Sequence, residues 1–459
     1  MTHVHNPLHI VILAAGQGTR MKSALPKVVH PIGAKPLLAH VITTAKALDA
    51  AKIHVVYGHG GDKVRAAIND PALHWVEQRQ QLGTGHAVSQ AIDHIDDAAV
   101  VLILYGDVPL TTLETLQPLV ASARTGELGL LTALLPDPHG YGRIVRNTDN
   151  AIQRIVEQKD ANEVERAIRE INSGMMALPA RRLKKWLGQL KNDNAQGEYY
   201  LTDIIAMAVA DGVKVNGVIA RDNDEILGVN DRVQLAHLER VYQKRCAERL
   251  MRQGVTISDP SRVEIRGEVT TGQDVTLDIG VILEGTVKLG NRVVVGAHCV
   301  LKDVEIGDDV KILPMSHIDG AIIHAGAHAG PFARIRPGTV VSESAHVGNF
   351  VEIKNSQIGT GSKINHLSYV GDTTMGRDVN IGAGTITCNY DGANKHRTVI
   401  GDRVFVGSDT QLVAPVTVKD GATIGAGSTI TKDAPSEELT LSRSKQVTIN
   451  GWKRPTKKV

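Results

Sequence analysis

Aromatic side chains and cysteines are scarce in this sequence. Phenylalanine, tyrosine and tryptophan together make up 3% of its 459 residues, whereas glycine occurs 45 times. Such a chain fills its interior with aliphatic side chains and turns often. Its three cysteines, Cys246, Cys299 and Cys388, are far apart and show no metal-ligand spacing. We therefore expect neither a disulfide framework nor a zinc site, and we predict a reducing, cytoplasmic environment.

The sequence also lacks an excess of charge and a long apolar run. Its 51 lysines and arginines nearly balance its 49 aspartates and glutamates, so nothing predicts a nucleic-acid or membrane partner. The N-terminus carries His3, His5 and His9 around a short apolar run, which fits neither a signal peptide nor a membrane span. A chain of 459 residues is long for one hydrophobic core and is predicted to form two or three domains.

What the sequence does contain is a repeat of six residues. Six residues is about 1.67 turns of an α-helix, so side chains at this step would spiral around a helix instead of forming one buried stripe. The period does fit a parallel β-helix, in which each unit is a short strand followed by a turn and three units complete one coil. We expect its aliphatic residues to point inward and the small residue after each to permit the bend. The step of six is constant through Ile400, Val406, Leu412, Val418, Ile424 and Ile430. The pattern recurs upstream, with glycine next, at Leu289, Val295, Ile306, Val347, Ile358, Val370 and Ile381.

The N-terminal region begins with a strand that leads into a loop. The apolar run 10–13 precedes a Gly-rich loop at 14–21, a layout that can hold phosphates on backbone N–H groups. The loop lacks the third glycine of the dinucleotide fingerprint and the Gly-Lys-Ser/Thr of a P-loop. Instead Arg20 and Lys27 are near it in the sequence, and these cations could neutralise a triphosphate. A plain turn is the alternative interpretation of this loop taken alone.

Two further segments favour a nucleotide site. Gln78 and the run 82–85 form a second small-residue loop, and the apolar run 100–104 ends in Tyr105-Gly106-Asp107. Ligands in an open α/β sheet bind at the carboxyl ends of the strands, where both segments would lie. Asp107 at a strand end is well placed to bind Mg²⁺. An aspartate before Val-Pro also forms turns, which is the alternative role of this residue.

These N-terminal segments together resemble the nucleoside-triphosphate half of the sugar nucleotidyltransferases. The runs 140–143, 156–160, 170–174 and 228–230 narrow the resemblance to the bacterial bifunctional N-acetylglucosamine-1-phosphate uridyltransferases and glucosamine-1-phosphate acetyltransferases. It covers nearly the whole chain. The resemblance implies an α/β nucleotide-binding N-terminal domain, a Rossmann-like nucleotidyltransferase, and a C-terminal left-handed parallel β-helix.

A long helix is expected between these two domains, because apolar residues from position 231 onward follow broadly helical spacing among many charges. The predicted domains are therefore a nucleotidyltransferase (pyrophosphorylase) domain at 1–231, a linker helix at 232–253 and a β-helix acetyltransferase domain at 254–459.

The resemblance implies one set of residues for uridyl transfer. In that reaction a sugar-1-phosphate oxygen attacks the α-phosphorus of UTP, and no protein nucleophile is needed. Mg²⁺ is implied on Asp107 and Asn230. The resemblance assigns Gly142, Glu157 and Asn172 to the sugar. The other residues implied for UTP and its sugar product are Leu13, Ala14, Ala15, Gly16, Lys27, Gln78, Gly83, Thr84, Tyr105, Gly106, Asp107 and Asn230.

A second set is implied for acetyl transfer in the repeat region. Amine acetylation needs a base, and histidine exchanges protons near neutral pH; of 19 histidines, the run 365–369 singles out His366. Ile364-Asn365 departs from the two small residues that the family often has before this histidine. The polar stretch 387–397 interrupts the repeat and is expected to leave the coil and carry function. The residues implied for glucosamine-1-phosphate are Arg336, Lys354, Tyr369 and Asn380, and those implied for acetyl-CoA are Ala383, Asn389, Tyr390, Ser408, Ala426 and Arg443.

The resemblance also implies a homotrimer with active sites between the β-helices. Its substrates are glucosamine-1-phosphate, N-acetylglucosamine-1-phosphate, UTP and acetyl-CoA. The basic tail 451–458 is either solvated or in reach of a coenzyme phosphate. One alternative is a sugar nucleotidyltransferase whose β-helix serves only assembly or regulation. Another is a translation-factor exchange subunit, which would have a degraded nucleotide site. The presence of Lys27 and Asp107 argues against this alternative.

Overall fold

The computed structural model describes residues 6–58 and 60–457. His3, His5 and Lys458, which the sequence analysis mentioned, lie outside these ranges. The chain divides into two compact units, Met1–Tyr242 and Gln243–Val459. Each unit is described by itself.

A mixed β-sheet forms the centre of the first unit. Its strand order is β11-β7-β10-β6-β1-β4-β5, with β8 and β9 attached beside β10. The strands of this unit are β1 (Leu8–Ala14), β2 (Pro31–Ile32), β3 (Lys35–Pro36), β4 (Lys52–Tyr57), β5 (His74–Glu77), β6 (Val100–Tyr105), β7 (Leu128–Leu134), β8 (Arg143–Arg146), β9 (Ile152–Val156), β10 (Glu170–Pro179) and β11 (Val215–Ile219). Its helices are α1 (Leu37–Ala47), α2 (Gly61–Ile68), α3 (Thr84–Ile92), α4 (Leu113–Arg124), α5 (Glu163–Arg166), α6 (Ala180–Leu187) and α7 (Ile204–Ala210).

Both faces of this sheet are covered. Along β1, Ile10 and Ile12 belong to one apolar core, while Val11 and Leu13 belong to another. This alternation follows from the two-residue period of a strand, and it explains why the run 10–13 is apolar throughout. β1 pairs in parallel with β6 and β4, so the carboxyl ends of these strands lie along one edge. The predicted α/β nucleotidyltransferase fold is confirmed.

The helix α8 (Arg232–Arg252) follows. Near its start, Leu238 is buried in a small core with Met21 and Val229 of the first unit. Just past its midpoint, Gln243, the first residue of the second unit, exchanges two hydrogen bonds with the backbone of Ile265 in the same unit. The predicted long helix is confirmed. Within the described residues, neither α8 nor another helix is long and apolar enough to cross a bilayer.

The second unit consists of short parallel strands stacked in coils. From β18 to β36 every third strand belongs to a sheet of 11 strands, and the two strands between belong to a sheet of 16 strands. In the chain from 256 to 323 the strands are β12 (Thr256–Ile257), β13 (Glu264–Thr271), β14 (Thr276–Leu277), β15 (Ile282–Leu289), β16 (Val294–Val295), β17 (Val300–Ile306), β18 (Lys311–Ile312), β19 (His317–Asp319) and β20 (Ile322–Ile323). From 328 to 375 they are β21 (His328–Ala329), β22 (Arg334–Ile335), β23 (Val340–Val341), β24 (His346–Asn349), β25 (Glu352–Lys354), β26 (Gln357–Ile358), β27 (Lys363–His366), β28 (Tyr369–Gly371) and β29 (Thr373–Met375). From 380 to 440 they are β30 (Asn380–Ile381), β31 (Ile386–Cys388), β32 (Thr398–Ile400), β33 (Phe405–Val406), β34 (Gln411–Val413), β35 (Val416–Val418), β36 (Thr423–Ile424), β37 (Thr429–Ile430) and β38 (Leu439–Thr440).

The aliphatic residue of each repeat points into the coil. All six residues from Ile400 to Ile430 that share the step of six are at most 2% exposed. Their neighbours Phe405 and Thr429 face solvent. The predicted parallel β-helix with inward aliphatic residues is therefore confirmed.

The glycines of the repeat have a different role from the one we expected. Gly401 and Gly407 do not adopt a left-handed backbone, whereas Arg403 and Asp409 do, at φ 55° and 57°. A Cβ at Gly407 would lie 2.5 Å from the backbone nitrogen of Ala426 on the next coil. Glycine is needed here because adjacent coils approach each other closely, and the sharp turn falls on other residues.

Candidate active sites

A cavity of about 360 Å³ opens at the carboxyl edge of β1 and β6 in the first unit. It lies where the two predicted phosphate-binding loops and Asp107 come together, as the parallel register of the strands requires. Ten of the residues predicted for the nucleotide and its sugar product line it: Leu13, Ala14, Ala15, Gly16, Lys27, Gln78, Gly83, Thr84, Tyr105 and Asp107. Val28, Gln81, Ala87 and Glu198 complete the lining.

Lys27 joins two predicted metal ligands that are far apart in the sequence. Its Nζ lies 2.5 Å from Asp107 Oδ2 and 3.3 Å from Asn230 Oδ1. The N–H of Val229 donates to the carbonyl of Asp107 at 2.9 Å, which holds the segment of Asn230 beside the end of β6. Gly18 lets the first loop pack on Lys27, because a Cβ there would lie 2.7 Å from Lys27 Cβ. Two oxygens and one cation thus converge at the mouth of the cavity.

The second loop ends in a glycine that the backbone requires. Gly83 precedes α3 with φ 108°, and a Cβ there would lie 2.7 Å from the carbonyl oxygen of Tyr199. The same oxygen accepts a hydrogen bond from the N–H of Gly85 at 2.9 Å. The loop therefore presents Gly83 and Thr84 to the cavity, and the backbone at Tyr199 packs directly against the loop.

The three residues predicted for the sugar lie together beside Tyr105. The N–H of Asn172 donates to the carbonyl of Gly142 at 2.8 Å, and a Cβ on Gly142 would be 3.4 Å from Glu157 Oε1. Burial raises the pKa of the Glu157 carboxyl, while a hydrogen bond from Thr202 acts in the opposite direction. Burial also raises the pKa of Tyr105, so this phenol stays neutral.

The segment 194–203 was not predicted to contribute to this site, but it connects both parts of it. Thr202 Oγ1 donates to Glu157 Oε1 at 3.1 Å, and the N–H of Leu201 donates to Thr84 Oγ1 at 3.2 Å. Glu198 lines the cavity. These partners are distant in the chain, so local spacing does not indicate the role of the segment.

In the second unit, Arg336, Lys354 and Tyr369 lie on successive coils of one sheet. Glu352 pairs with Tyr369, and Lys354 pairs with Gly371, in the register of β25 and β28. Arg336 Nη1 lies 2.8 Å from Glu352 Oε1. Three of the four predicted glucosamine-1-phosphate residues thus form one cationic and hydroxyl-bearing patch, which we call the cationic patch.

His366 lies at the end of β27, on the other sheet. Its Nδ1 is 2.9 Å from Asn349 Oδ1, one coil earlier. A carboxamide oxygen can only accept, so Nδ1 is the donor in this bond, and in the neutral imidazole the lone pair is then on Nε2. The side chain is exposed. Asn349 was not predicted as a site residue. The repeat offered a signal, because a residue one coil before a candidate base lies close enough to support it.

Asn380 is on the same sheet as His366, paired with Lys363. The structure therefore does not place it with Arg336, Lys354 and Tyr369 on one sheet. His366 and Tyr369 flank the corner of the coil at Leu367, whose φ is 45°.

The residues predicted for acetyl-CoA form a loop and a column that continues the corner of Leu367, where the N–H of Gly384 donates to the carbonyl of Leu367 at 3.1 Å. The N–H of Asp409 donates to the carbonyl of Ala383, and that of Gly427 to the carbonyl of Ser408, at 2.7 and 2.8 Å. Arg443 Nη1 donates to the carbonyl of Ala426 at 2.9 Å. These bonds stack Ala383, Ser408 and Ala426 on successive coils.

Residues 389–397 leave the coil as expected, whereas Thr387 and Cys388 of the predicted stretch stay in β31 and pair with Leu412 and Val413. Asp391 organises the loop by accepting hydrogen bonds from the N–H of Asn394 at 2.6 Å and from His396 Nε2 at 2.7 Å. These bonds lower the pKa of the Asp391 carboxyl. Tyr390 is 60% exposed on this loop, whereas Asn389 at its base is buried.

Comparisons with known protein families support the folds of both units. A family model described as a MobA-like NTP transferase domain matches residues 10–194. A model of bacterial transferase hexapeptide repeats matches residues 397–432.

Whole-length relatives are also similar to this chain. The bifunctional protein GlmU of Marinobacter nauticus is 57% identical over 452 residues, which cover 98% of this chain and 100% of that protein. The proteins of the same name from Ralstonia nicotianae and Nitrosospira multiformis are 58% and 59% identical and also cover 98% of this chain, with 99% and 98% of their own lengths matched. The resemblance found in the motifs is confirmed, and the chain belongs to the family of the bifunctional protein GlmU.

Proposed function

We infer that the chain catalyses two transfers in UDP-N-acetylglucosamine synthesis. The second unit transfers an acetyl group from acetyl-CoA to glucosamine-1-phosphate, and the first unit transfers uridylate from UTP to the resulting N-acetylglucosamine-1-phosphate. The observation that carries this inference is the presence of two separate constellations, one in each unit, in a chain that matches this family over 98% of its length.

A paired assay of two variants tests this division of labour. We expect His366→Ala to stop the release of free thiol from acetyl-CoA and to retain pyrophosphate release from UTP. Asp107→Ala should show the opposite pattern. Loss of both activities in each well-folded variant would overturn the assignment.

The nucleotide cavity suits UTP and Mg²⁺. Asp107 and Asn230 offer a carboxylate and an amide oxygen, the ligands that Mg²⁺ prefers, and phosphate oxygens and water would complete its shell. Their oxygens already converge on the ammonium of Lys27, so the position favours a cation. Within residues 6–58 and 60–457 there is no group of three metal-binding side chains, which is why substrate phosphates are needed as ligands. When bound, Mg²⁺ would neutralise charge on these phosphates.

Lys27 contributes to uridyl transfer through its charge. Its ammonium is largely buried, with 13% of the side chain exposed, and a buried cation interacts strongly with phosphate. Gly142, Glu157 and Asn172 would orient the sugar so that its phosphate oxygen faces the α-phosphorus in line. Alignment of the two anions supplies the catalysis, since no protein group has to form a bond.

The second unit offers a base for acetyl transfer. The amine nitrogen of glucosamine-1-phosphate attacks the thioester carbonyl, its proton passes to His366 Nε2, and the carbon–sulfur bond breaks to release the coenzyme thiolate. In the neutral imidazole, the hydrogen bond from Nδ1 to Asn349 leaves the lone pair on Nε2, which can accept this proton. Arg336 and Lys354 would hold the sugar phosphate.

We propose that this enzyme is a homotrimer whose acetyl-transfer sites lie between subunits. His366 and Tyr369 of the cationic patch flank an exposed corner of one subunit, and a neighbouring subunit packed on this corner would enclose the substrate. An exposed column of apolar side chains ends beside His366. This apolar corner comprises Met315, Phe332, Phe350 and Leu367, which are 49%, 49%, 55% and 63% exposed.

The apolar corner suits a second copy of the same chain. The rings of Phe332 and Phe350 are stacked with centroids 5.2 Å apart, and all four residues hold a left-handed backbone at one corner of successive coils. Exposed apolar columns of this kind mark interaction surfaces. Light scattering should give a trimer for the wild type and smaller species for Phe332→Ser/Phe350→Ser, whereas Val294→Ser, at an exposed apolar residue elsewhere, should stay trimeric. A monomeric wild type would overturn the proposal.

A cytoplasmic location fits the same function. Cys299 and Cys388 are free thiols, as is usual for proteins of a reducing compartment. Fractionation of cells with an antibody against the chain would test this.

A further inference from the structure

Asp372 holds two side-chain amides at the base of the loop that leaves the coil. Its Oδ1 accepts a hydrogen bond from Asn355 Nδ2 at 2.6 Å, and its Oδ2 accepts one from Asn389 Nδ2 at 2.5 Å. The three residues lie 17 residues apart on successive coils and form a vertical ladder. Asp372 is 8% exposed and Asn389 is 7% exposed, so the ladder is largely shielded from water.

The carboxylate decides which way each amide points. An ionised carboxylate only accepts hydrogen bonds, so Asn355 and Asn389 must both turn their NH₂ groups toward it. Tyr369 Oη, at 3.5 Å, is on the same side of Asn389 as the NH₂ group. The carbonyl oxygen of the Asn389 side chain is thereby turned away from Asp372 and available as an acceptor.

The surroundings leave little freedom for this arrangement to change. A Cβ at Gly371 would lie 2.7 Å from Asn389 Nδ2, so the amide packs directly on the backbone of β28. Asp372 itself has φ 49° and donates its N–H to the carbonyl of Lys354 at 3.0 Å. The Asp372 carboxylate is therefore fixed by its backbone as well as by its two donors.

Asp372 also faces the cations of the cationic patch. Burial alone would raise the pKa of its carboxyl, but the hydrogen bonds from Asn355 and Asn389 and the charges of Lys354 and Lys395 outweigh burial and lower it. The adjacent Lys395 lowers the pKa of Lys354, and Asp372 acts in the opposite direction. The carboxylate thus remains ionised and favours the charged form of Lys354.

We propose that Asp372 is a positioning residue of acetyl transfer, which fixes the side-chain amide of Asn389 so that its carbonyl oxygen faces the reacting groups. The inference rests on the proposed acetyl transfer in the second unit. Asp372 touches no substrate in this role and acts through Asn389.

Replacing Asp372 without disturbing the backbone tests the inference. Asparagine and glycine both tolerate a left-handed backbone, so Asp372→Asn and Asp372→Gly should retain the coil. Asp372→Asn allows either neighbouring amide to turn over, and Asp372→Gly leaves both unfixed. We expect kcat/KM for glucosamine-1-phosphate to fall by about 10-fold to 100-fold, the range for a lost hydrogen bond to a charged group. Pyrophosphate release from UTP should not change.

A double variant distinguishes an effect on the orientation of the Asn389 amide from an effect on the stability of the protein. In Asn355→Asp/Asp372→Asn, the new carboxylate must accept from the NH₂ of residue 372, which leaves its oxygen to accept from Asn389 and restores the original direction of that amide. We expect this variant to recover acetyl transfer to within about threefold of the wild type. A merely structural role would make the rates follow the melting temperatures of the variants instead.

Asp303 provides the matched control. It has φ 48° and its carboxylate accepts the N–H of Thr286 at 2.9 Å, away from the predicted site residues. Asp303→Asn and Asp303→Gly should retain both activities. Wild-type acetyl transfer in the Asp372 variants, or no recovery in the double variant, would overturn the inference alone. A wild-type chain without acetyl transfer would instead overturn the proposed function.

Discussion

Gly83 is fixed both by its backbone conformation and by its neighbour. Its φ is 108°, and a Cβ would lie 2.7 Å from the carbonyl oxygen of Tyr199. We predict that Gly83→Ala destabilises the first unit by about 1–3 kcal/mol. Uridyl transfer should also fall, because the loop that presents Thr84 to the cavity has to move. Thermal unfolding and pyrophosphate release measure the two effects.

Gly126→Ala is the control for this change. Gly126 has φ 86° in the same unit, but no atom lies within 4 Å of the position that its Cβ would take. The variant carries backbone strain alone, so it should melt earlier than the wild type and keep its rate of uridyl transfer. An equal loss of rate in both variants would show that contact with Tyr199 is unimportant.

Single site residues were predictable where residue type and strand position together restricted the chemistry. Asp107 at the end of an apolar run was such a case. Thr202 and Asn349 were not, because they act through partners 45 and 17 residues away. Their roles depend on how the chain returns to the same place, which local spacing does not encode.

At the scale of the element, the inward row of the β-helix determines its stability. Ile424 is fully buried, and its neighbour Thr423 points outward. We predict that Ile424→Ala destabilises the second unit by about 2–5 kcal/mol, since a cavity remains in a coil that contacts only its neighbours. Thr423→Ala should change stability by less than about 1 kcal/mol. Urea unfolding of both variants measures the difference, and equal effects would contradict the inward orientation.

Three histidines connect the amino-terminal parts of β1, β4 and β5, at the edge opposite the nucleotide cavity. His9 Nδ1 lies 3.1 Å from His54 Nε2, and His54 Nδ1 lies 3.0 Å from His74 Nδ1. Burial lowers the pKa of His54 to about 3, and the nearby His74, His9 and Lys52 act in the same direction. Burial lowers the pKa of His9 and His74 as well, although Asp96 opposes it at His9.

This histidine chain predicts that acid destabilises the first unit. An unfolded histidine binds its proton near pH 6.5, whereas folded His54 binds it only near pH 3, so the unfolded state holds more protons between these values. Stability is therefore complete above about pH 6.5 and is lost by about 1.4 kcal/mol per pH unit for His54 alone as the pH falls. The measurement is the urea midpoint at pH 7.5 and pH 5.

His54→Gln removes the titrating group and should reduce the pH dependence by about one proton. Some stability should also be lost at pH 7.5, because the partners at His9 and His74 change. His139→Gln, at an exposed turn of the same unit, should keep the wild-type slope. An unchanged slope in His54→Gln would show that acid acts elsewhere.

The elements themselves were largely predictable, because their periods are set by elementary geometry. A step of six fits a coil of short strands and no helix, and the inward row is buried throughout. The reason for the glycines was predicted incorrectly. The close approach of adjacent coils results from the way the coils stack. A sequence repeat shows how many residues form one unit, but it does not show the distance between stacked coils.

At the scale of the whole molecule, the two activities should respond differently to removal of metal. The proposed Mg²⁺ ligands, Asp107 and Asn230, both lie in the first unit, whereas acetyl transfer depends on His366, Arg336 and Lys354 in the second. We predict that a chelator abolishes pyrophosphate release and leaves thiol release intact. Added Mg²⁺ should restore pyrophosphate release. Loss of thiol release with chelator would contradict the proposed acetyl mechanism.

The most direct test of the whole account is product analysis by mass spectrometry with glucosamine-1-phosphate, acetyl-CoA, UTP and Mg²⁺ supplied together. The wild type should form UDP-N-acetylglucosamine, Asp107→Ala should stop at N-acetylglucosamine-1-phosphate, and His366→Ala should form the nucleotide sugar only when that intermediate is added. A mixture of the two variants should again form the final product. If Asp107→Ala makes no acetylated sugar phosphate, or if the mixture yields no UDP-N-acetylglucosamine, the assignment of one transfer to each unit is wrong.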